Sequence, residues 1–415
     1  MDSNGLSSPI SGLRVSSIDL ETYPAGRSSD APRRPQPAPG KSCRNGPTIR
    51  PDAVFNAQNR QIAAVAVLDH IAFGTVWCRG QQGCRMASAE IIPVIDLGPY
   101  LAGTPGAINR AAEKLHFALT QIGFYFIVNH GVPSEQIQAV FRQAERFHAL
   151  PLQKKLEVKL DKHNVGYLPM RGDTLRTSTV ETVTKPNINE AFFVARDLPS
   201  DHPEVLADRR FRSANRWPTG LLSFREEIVA YCETTEQLVR KLVRLYAGAL
   251  RLPLEYFDQP FREPQYKLRM THYPYQTDPA DDEFGIAPHT DTSFLTLLGP
   301  NDVPGLSIRT QSGKWIDAPA VPGAFVVNGG QLLQRWTNDH FLATPHRAVN
   351  HSGGERYALA FFCDSNIDWP VAAVPTCVGP DKPPKYPTTY YTEYMIRYQE
   401  RTYNVFGPND KDTAE

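Results

Sequence analysis

Cysteine is sparse in this chain: six residues in 415, at 43, 78, 84, 232, 363 and 377, with no Cys-x-x-Cys pair. That excludes a dense disulfide framework and fits a reducing cytosol. Cys78 and Cys84 have no second half to complete a metal site, so they read as incidental thiols. A membrane-spanning run is missing as well. The apolar stretch 62–77 is interrupted by Asp69 and His70, falls short of the about 20 residues a membrane helix needs, and lies too far in for a signal peptide. Neither charge is in excess, since 44 basic side chains balance 44 acidic ones. Such neutrality gives no electrostatic footprint for phosphate backbones or anionic membranes, so neither nucleic acid nor a membrane is expected as partner.

What the chain has instead is proline, 36 residues of it, and 41% hydrophobic residues, enough for a large core cut by many turns. The N-terminal stretch 1–85 differs from the rest. Proline, serine and arginine dominate as far as residue 52, a composition that cannot bury enough apolar surface to order itself. Disorder is expected there. The same stretch also reads as a mis-called extension ahead of a native start at Met86, because Met86-Ala87-Ser88-Ala89-Glu90 directly precedes the first strand-like run at Ile92. Further on, Ile108, Ala112, Leu115, Leu119 and Ile122 recur at helical spacing and stop at Gly123, a favourable C-terminal cap. Similar stripes predict helices over 135–150, 218–250 and 389–403, the last packing Tyr390, Tyr391, Tyr394 and Tyr398 against a sheet. From 266 to 364 short strands and Gly/Pro turns dominate. The pattern fits an α+β fold and is consistent with a double-stranded β-helix (jelly roll) core with flanking helices.

One triplet in the strand region carries chemistry. In an extended strand successive side chains face opposite ways, so His289 and Asp291 project from one face with Thr290 turned away, and both can grip one ion. A second imidazole from a distant strand completes two histidines and a carboxylate on one side of a metal, with the other positions open. That is the facial triad of non-haem Fe(II) oxygenases, whereas a structural zinc site is closed and usually contains thiolates. A bare His-x-Asp is a weak signal. Here, residues 287–298 alternate and then turn apolar as a buried strand does, and Thr344-Pro345-His346-Arg347-Ala348-Val349 leads into a strand-like run over 356–362. His346 is therefore the expected distal ligand. His272 has no carboxylate two residues on and reads as a pocket or core residue; His130, in Asn-His-Gly, reads as ordering a turn near the active-site side of the sheet. His340 and His351 flank His346 without its Pro-His-Arg setting.

Together these residues resemble the isopenicillin N synthase-like type of iron(II)- and 2-oxoglutarate-dependent dioxygenase, from about Ile92 to about Tyr403. The likeness also rests on 92–97, 123–132, Leu268-Arg269-Met270-Thr271-His272-Tyr273-Pro274, Pro304-Gly305-Leu306 and Trp336-Thr337-Asn338. It implies an N-terminal dioxygenase module over 86–200, a helical connection over 201–264, a jelly-roll domain over 265–370, and a C-terminal helix and tail over 371–415. It also implies Fe(II) as the metal and 2-oxoglutarate as co-substrate, whose far carboxylate meets an arginine ten residues after the distal histidine. Arg356 stands there. A guanidinium fork suits a planar carboxylate in a way that lysine does not reproduce. Tyr273 would add a hydroxyl to the same carboxylate. The chain departs from the pattern twice. Ala358 replaces a serine, losing one hydrogen bond worth about 0.5 to 1.5 kcal/mol. Asn328-Gly329-Gly330-Gln331 replaces an Asn-x-Gly-Asp turn, a change expected to touch no ligand.

The implied reaction couples oxidative decarboxylation of 2-oxoglutarate to succinate with C–H oxidation of a small molecule, by hydroxylation, desaturation or cyclisation. The alternatives are a relative that forms ethylene or works without 2-oxoglutarate, and a non-catalytic metal-binding jelly roll. The pocket wall is expected from 166–194, from Phe294 and from the C-terminal helix. Arg171, Arg176 and Lys185 are candidates to meet an anionic substrate group, against a reading as a plain solvated loop.

Overall fold

Alternating inward and outward side chains along short segments build two facing sheets. The computed structural model describes residues 91–402 except 176, 177, 179, 181, 277–279 and 281. The expectations for 1–85, Met86, Cys43, Cys78, Cys84 and Arg176 fall outside the described residues. The strands are β1 (Val94–Asp96), β2 (Phe124–Val128), β3 (Gly166–Leu168), β4 (Glu190–Ala195), β5 (Gln265–Tyr273) and β6 (Ile286–His289), followed by β7 (Leu295–Leu298), β8 (Leu306–Arg309), β9 (Trp315–Asp317), β10 (Phe325–Gly329), β11 (His346–Ala348) and β12 (Arg356–Asp364). Eight form one sheet in the order β1-β2-β10-β7-β12-β5-β4-β3; the other four form a second sheet in the order β6-β11-β8-β9. This is the expected jelly roll, with β1 to β4 extending the larger sheet at both edges.

The longest ladder pairs β5 with β12 over nine residues, from Arg356 opposite Tyr273 to Asp364 opposite Gln265. Because side chains alternate, Leu268 and Met270 of β5 enter the core, while Lys267, Arg269, Thr271 and Tyr273 face the cavities beside the second sheet.

Helix α1 (Ala107–Gln121) buries Ala111, Leu115, Ala118 and Leu119 in the same core as the long α3 (Phe224–Ala249), and α2 (Ser134–His148) packs on α3 as well. Helix α3 begins later than its apolar stripe suggests because Gly220 (φ 81°) and Ser223 (φ 59°) adopt the left-handed conformation, which a helix does not continue. After the short α4 (Gln331–Trp336), α5 (Tyr391–Thr402) starts past Thr389, whose amide and carbonyl instead exchange bonds with Val371 at 3.1 and 2.8 Å. Tyr391 is buried against Phe211, but Tyr390 faces outward. Phe294, expected in the pocket wall, belongs to the core: its ring packs on Phe261, Phe257 and Trp336 at 4.8, 5.4 and 5.7 Å. Cys232, Cys363 and Cys377 are buried free thiols. No described helix is long and apolar enough to cross a membrane.

Gly123 ends α1 with φ 78°, its amide donating to Ala118 at 2.8 Å. A Cβ there would fall 2.1 Å from Thr344 Oγ1. Gly123→Ala should therefore cost about 1 to 3 kcal/mol, combining left-handed strain with the clash. A melting temperature within a degree of the parent protein would refute this.

Candidate active site

The site begins with a cross-strand pair. β6 and β11 run antiparallel with His346 directly opposite His289, and their rings lie 4.3 Å apart. β6 ends at His289, so Asp291 sits in the following turn rather than on a continuing strand. Its Oδ1 nevertheless lies 3.6 Å from Nε2 of both histidines. Those separations are too long for hydrogen bonds and short enough for one ion to bridge. His289 Nδ1 meets the Ala287 carbonyl at 2.8 Å and His346 Nδ1 the Thr344 carbonyl at 3.2 Å. With Nδ1–H donating in each ring, both Nε2 lone pairs are left for a metal.

Asp291 is aimed with equal care. Its Oδ2 accepts from Thr296 Oγ1 at 2.6 Å and Asn328 Nδ2 at 2.8 Å, which leaves Oδ1 toward the histidines. The turn Asn328-Gly329-Gly330-Gln331, expected to touch no ligand, thus holds the candidate ligand Asp291 directly. The Gln331 amide also donates to the Asp291 carbonyl at 2.8 Å. A Cβ on Gly330 would fall 2.2 Å from the Ser293 carbonyl oxygen, so the turn needs glycine to come this close. Burial, reinforced by His289, pushes the His346 pKa down to about 4, keeping the imidazole neutral near pH 7. Burial also opposes ionisation of Asp291, yet His346, His289 and the Asn328 amide together hold its carboxyl below the ordinary carboxylate value.

A second group of two histidines and an acid, His148, Glu190 and His272, has similar spacing. Its carboxylate is already occupied: Glu190 accepts from Lys155 Nζ at 2.7 Å, from His272 Nδ1 at 2.9 Å and from the Tyr167 hydroxyl. The lysine supplies the positive charge that an ion would bring, so this cluster is a buried ion-pair network. His272 belongs to it and lines neither cavity beside the triad. His130 orders its turn, accepting from the Val132 amide at 3.1 Å and meeting the Gly323 carbonyl at 2.9 Å, but it too lines neither cavity. His340 contacts His116 at 3.1 Å, and His351 is exposed.

Two cavities meet at the triad. The inner one is walled by Thr271, Tyr273, Arg356 and Ala358. Arg356 is 3% exposed, its guanidinium carbon lies 4.9 Å from the centre of the Tyr273 ring, and Nε donates to the Val303 carbonyl at 3.3 Å. Gly305, at φ 142°, makes room for it, since a Cβ there would fall 3.1 Å from Arg356 Nε. No carboxylate pairs with Arg356 among the described residues. A buried, uncompensated guanidinium costs several kcal/mol unless an anion meets it, which is the fit a dicarboxylate requires.

The outer cavity is lined by Leu168, Asp173, Phe193 and Asp364, by Tyr391, Met395 and Tyr398 of α5, and by Lys267 and Arg269. Of the loop cations considered from sequence, Lys185 is half-buried and pairs with Asp282 at 2.7 Å, and Arg171 is exposed and lines neither cavity. Sequence reasoning missed Lys267, Arg269, Thr296 and Asn328. For the first two the signal was present, as polar residues at 267, 269 and 271 interleaved with apolar 268 and 270.

Two imidazole nitrogens, one free carboxylate oxygen and open space beyond them are the donor set expected of a non-haem iron enzyme. Comparison with known proteins narrows the class. The pattern of the non-haem dioxygenase in morphine synthesis N-terminal family matches residues 92–220, and that of the 2OG-Fe(II) oxygenase superfamily matches residues 264–365. The chain is 31% identical over 332 residues to the 2-oxoglutarate-Fe(II) type oxidoreductase hxnY of Emericella nidulans, covering 78% of this chain and 93% of that protein. It is 32% identical over 332 residues to the 2-oxoglutarate-dependent dioxygenase citB of Monascus ruber, covering 77% and 97%. Among solved structures it is similar to a full-length Neurospora crassa protein in complex with alpha-KG and thymine, with a TM-score of 0.65 and 26% identity over 75% of this chain and 96% of that one. JOX2 in complex with 2OG, Fe and JA gives 0.63 and 25%, over 83% and 96%. The chain belongs to the 2OG-Fe(II) oxygenase superfamily. It is a 2-oxoglutarate-dependent dioxygenase, an oxidoreductase that takes Fe(II), 2-oxoglutarate and O2 and couples succinate formation to C–H oxidation of a small molecule.

Loss of the Asn328 anchor should free the Asp291 carboxylate to rotate. Asn328→Ala should weaken Fe(II) binding about 10- to 100-fold in an anaerobic titration; an unchanged dissociation constant would show that the carboxylate needs no such support.

Proposed function

We propose that His289, Asp291 and His346 hold the Fe(II), and that Arg356 with Tyr273 holds the far carboxylate of 2-oxoglutarate, in an isopenicillin N synthase-like enzyme of the cytosol. The observation that carries this reading is the convergence of three ligand atoms within 4.8 Å of one another, on a cavity that also contains a buried arginine without an acid partner among the described residues. Similar proteins solved with thymine or JA support a small organic substrate, and the buried free thiols support a reducing compartment.

Bound Fe(II) and 2-oxoglutarate supply the activation of O2 and the oxidising power, with loss of CO2. The chain supplies geometry. The Ala287 and Thr344 carbonyls fix the imidazoles, Thr296 and Asn328 fix the carboxylate, and Arg356 decides which end of the co-substrate faces the metal. Thr271, paired directly with Ala358, brings a hydroxyl to the wall from which the serine is missing.

Anaerobic mixing of Fe(II)-loaded protein with 2-oxoglutarate should give a visible charge-transfer band, and admission of air should release succinate. His346→Ala should lose stoichiometric Fe(II). Arg356→Leu should keep the metal but raise the 2-oxoglutarate half-saturation by at least about 30-fold, the loss expected for one partner of a buried charge pair; an unchanged saturation curve would remove Arg356 from this role. Restoring the hydroxyl with Ala358→Ser should lower that half-saturation by up to about tenfold, the value of one added hydrogen bond. No change, or weaker binding, would mean that the wall is already satisfied.

A further inference from the structure

Among the described residues four lysine or arginine side chains are buried: Lys155, Arg212, Lys267 and Arg356. Two have acids beside them, Lys155 with Glu190 at 2.7 Å and Arg212 with Glu204 at 3.3 Å. Arg356 has the co-substrate. Lys267 has nothing of the kind: no carboxylate and no hydrogen-bond acceptor meets its ammonium among the described residues, and its nearest aromatic ring, Phe211, is centred 5.6 Å away. It lines the outer cavity, on the far side of the triad from Arg356.

We propose that Lys267, with Arg269, forms the substrate's recognition site and that the substrate carries a carboxylate on an apolar or aromatic body. This rests on the assignment of iron and co-substrate above. The two residues stand two apart on β5, facing the same way and about 7 Å apart along the strand, so both heads can reach one carboxylate. Arg269 Nη2 donates to Asn189 Oδ1 at 2.8 Å, which steers the guanidinium, while its buried Nε has no partner. Arg269 also lines both cavities, at the level of the triad.

The acids on this wall do not neutralise the pair. Asp364 Oδ1 accepts the Phe294 amide at 2.7 Å, and Asp173 is bonded to Asn187 at 3.3 Å; neither pairs with Lys267 or Arg269 among the described residues. Burial, with Asp291 nearby, raises the Asp364 pKa to about 8, which opposes its carrying a full negative charge beside Lys267. Burial, with Arg210 nearby, lowers the Lys267 pKa to about 7 against the opposing pull of Asp161 and Asp364, neither of which approaches to ion-pair distance. Inside the Fe(II) site the charges already cancel: the metal and Arg356 balance Asp291 and the 2-oxoglutarate dianion. Lys267 and Arg269 therefore remain for the substrate. Leu168, Phe193, Tyr391 and Met395 supply the apolar surroundings.

The test uses full-length protein loaded with Fe(II) and 2-oxoglutarate, and a panel of aryl-alkyl and branched aliphatic monocarboxylic acids, each beside its methyl ester. Two readouts are followed: the anaerobic perturbation of the charge-transfer band and succinate release in air. Acids should act at concentrations at least tenfold lower than their esters. Lys267→Met should abolish that preference, and Lys267→Arg should retain it. The proposal is overturned if esters act as well as acids, if no acid in the panel acts, or if Lys267→Met preserves the preference. The band itself reports the underlying assignment separately, because its absence from unsubstituted protein before any acid is added condemns the iron and co-substrate reading instead. Circular dichroism and a melting curve establish that each variant is folded before its preference is scored.

Discussion

The register of β6 against β11 is the constraint on which the chemistry depends. These strands have only four and three residues, and a slip by one position would turn His346 to the opposite face. So short a ladder cannot fix itself. It is pinned from the N-terminal side of the fold: Thr344, two residues before the ligand, donates through Oγ1 to the Ile122 carbonyl at 2.7 Å, where the open face of Gly123 admits it. Phe124, the first residue of β2, then meets the His346 ring edge-on at 5.3 Å, and β8 pairs with β11 on its other side. The end of one helix far away in sequence thereby sets the position of His346, a proposed metal ligand.

Charge is the second constraint, and it follows from the first. A site deep enough to exclude water makes every unbalanced charge expensive, so this chain compensates its buried cations either with its own acids or with its ligands. Lys155 and Arg212 follow the first course and stabilise the fold. Arg356 and Lys267 have no acid partner among the described residues, and both line the cavities beside the triad, so the proposed ligands would follow the second course. The Glu190 network illustrates the contrast. It has the histidines and the carboxylate of a metal site, but its cation is built in, so it braces β4 against β5 and offers no vacancy for chemistry.

Much of this was legible in the sequence, for identifiable reasons. His289, Asp291, His346 and Arg356 stand at fixed short spacings inside strand-like runs, and local patterns of that kind survive folding. The jelly roll was legible from the density of short strands and turns. What escaped depends on pairings that only the folded chain makes. Asn328 meets Asp291 across 37 positions, through a turn whose altered residues looked remote from the metal. Phe294 lies five positions after His289, so strand alternation already places it on the face opposite the ligands, where its ring joins Phe257, Phe261 and Trp336 in the core. Lys267 and Arg269 were overlooked because charged residues are usually solvated, and only the β5–β12 ladder shows that this face of β5 looks inward.

That ladder also orders the reaction space. From Tyr273 to Lys267 is six residues along β5, about 20 Å at the usual strand rise, long enough to span the co-substrate and much of a substrate end to end. Opposite these residues β12 places Arg356, then Ala358 and Ala360, then Phe362. The two alanines leave space beneath Thr271 and Arg269, next to the triad, while the bulkier residues at either end close the channel. On the proposed assignment, arginine at one end and lysine at the other each take an anion, so two acids of different shape would approach the triad from opposite sides. An enlarged side chain at Ala360 would divide the two cavities at the point where they share Arg269, and would separate the oxidant from the bond it is meant to attack without touching any metal ligand.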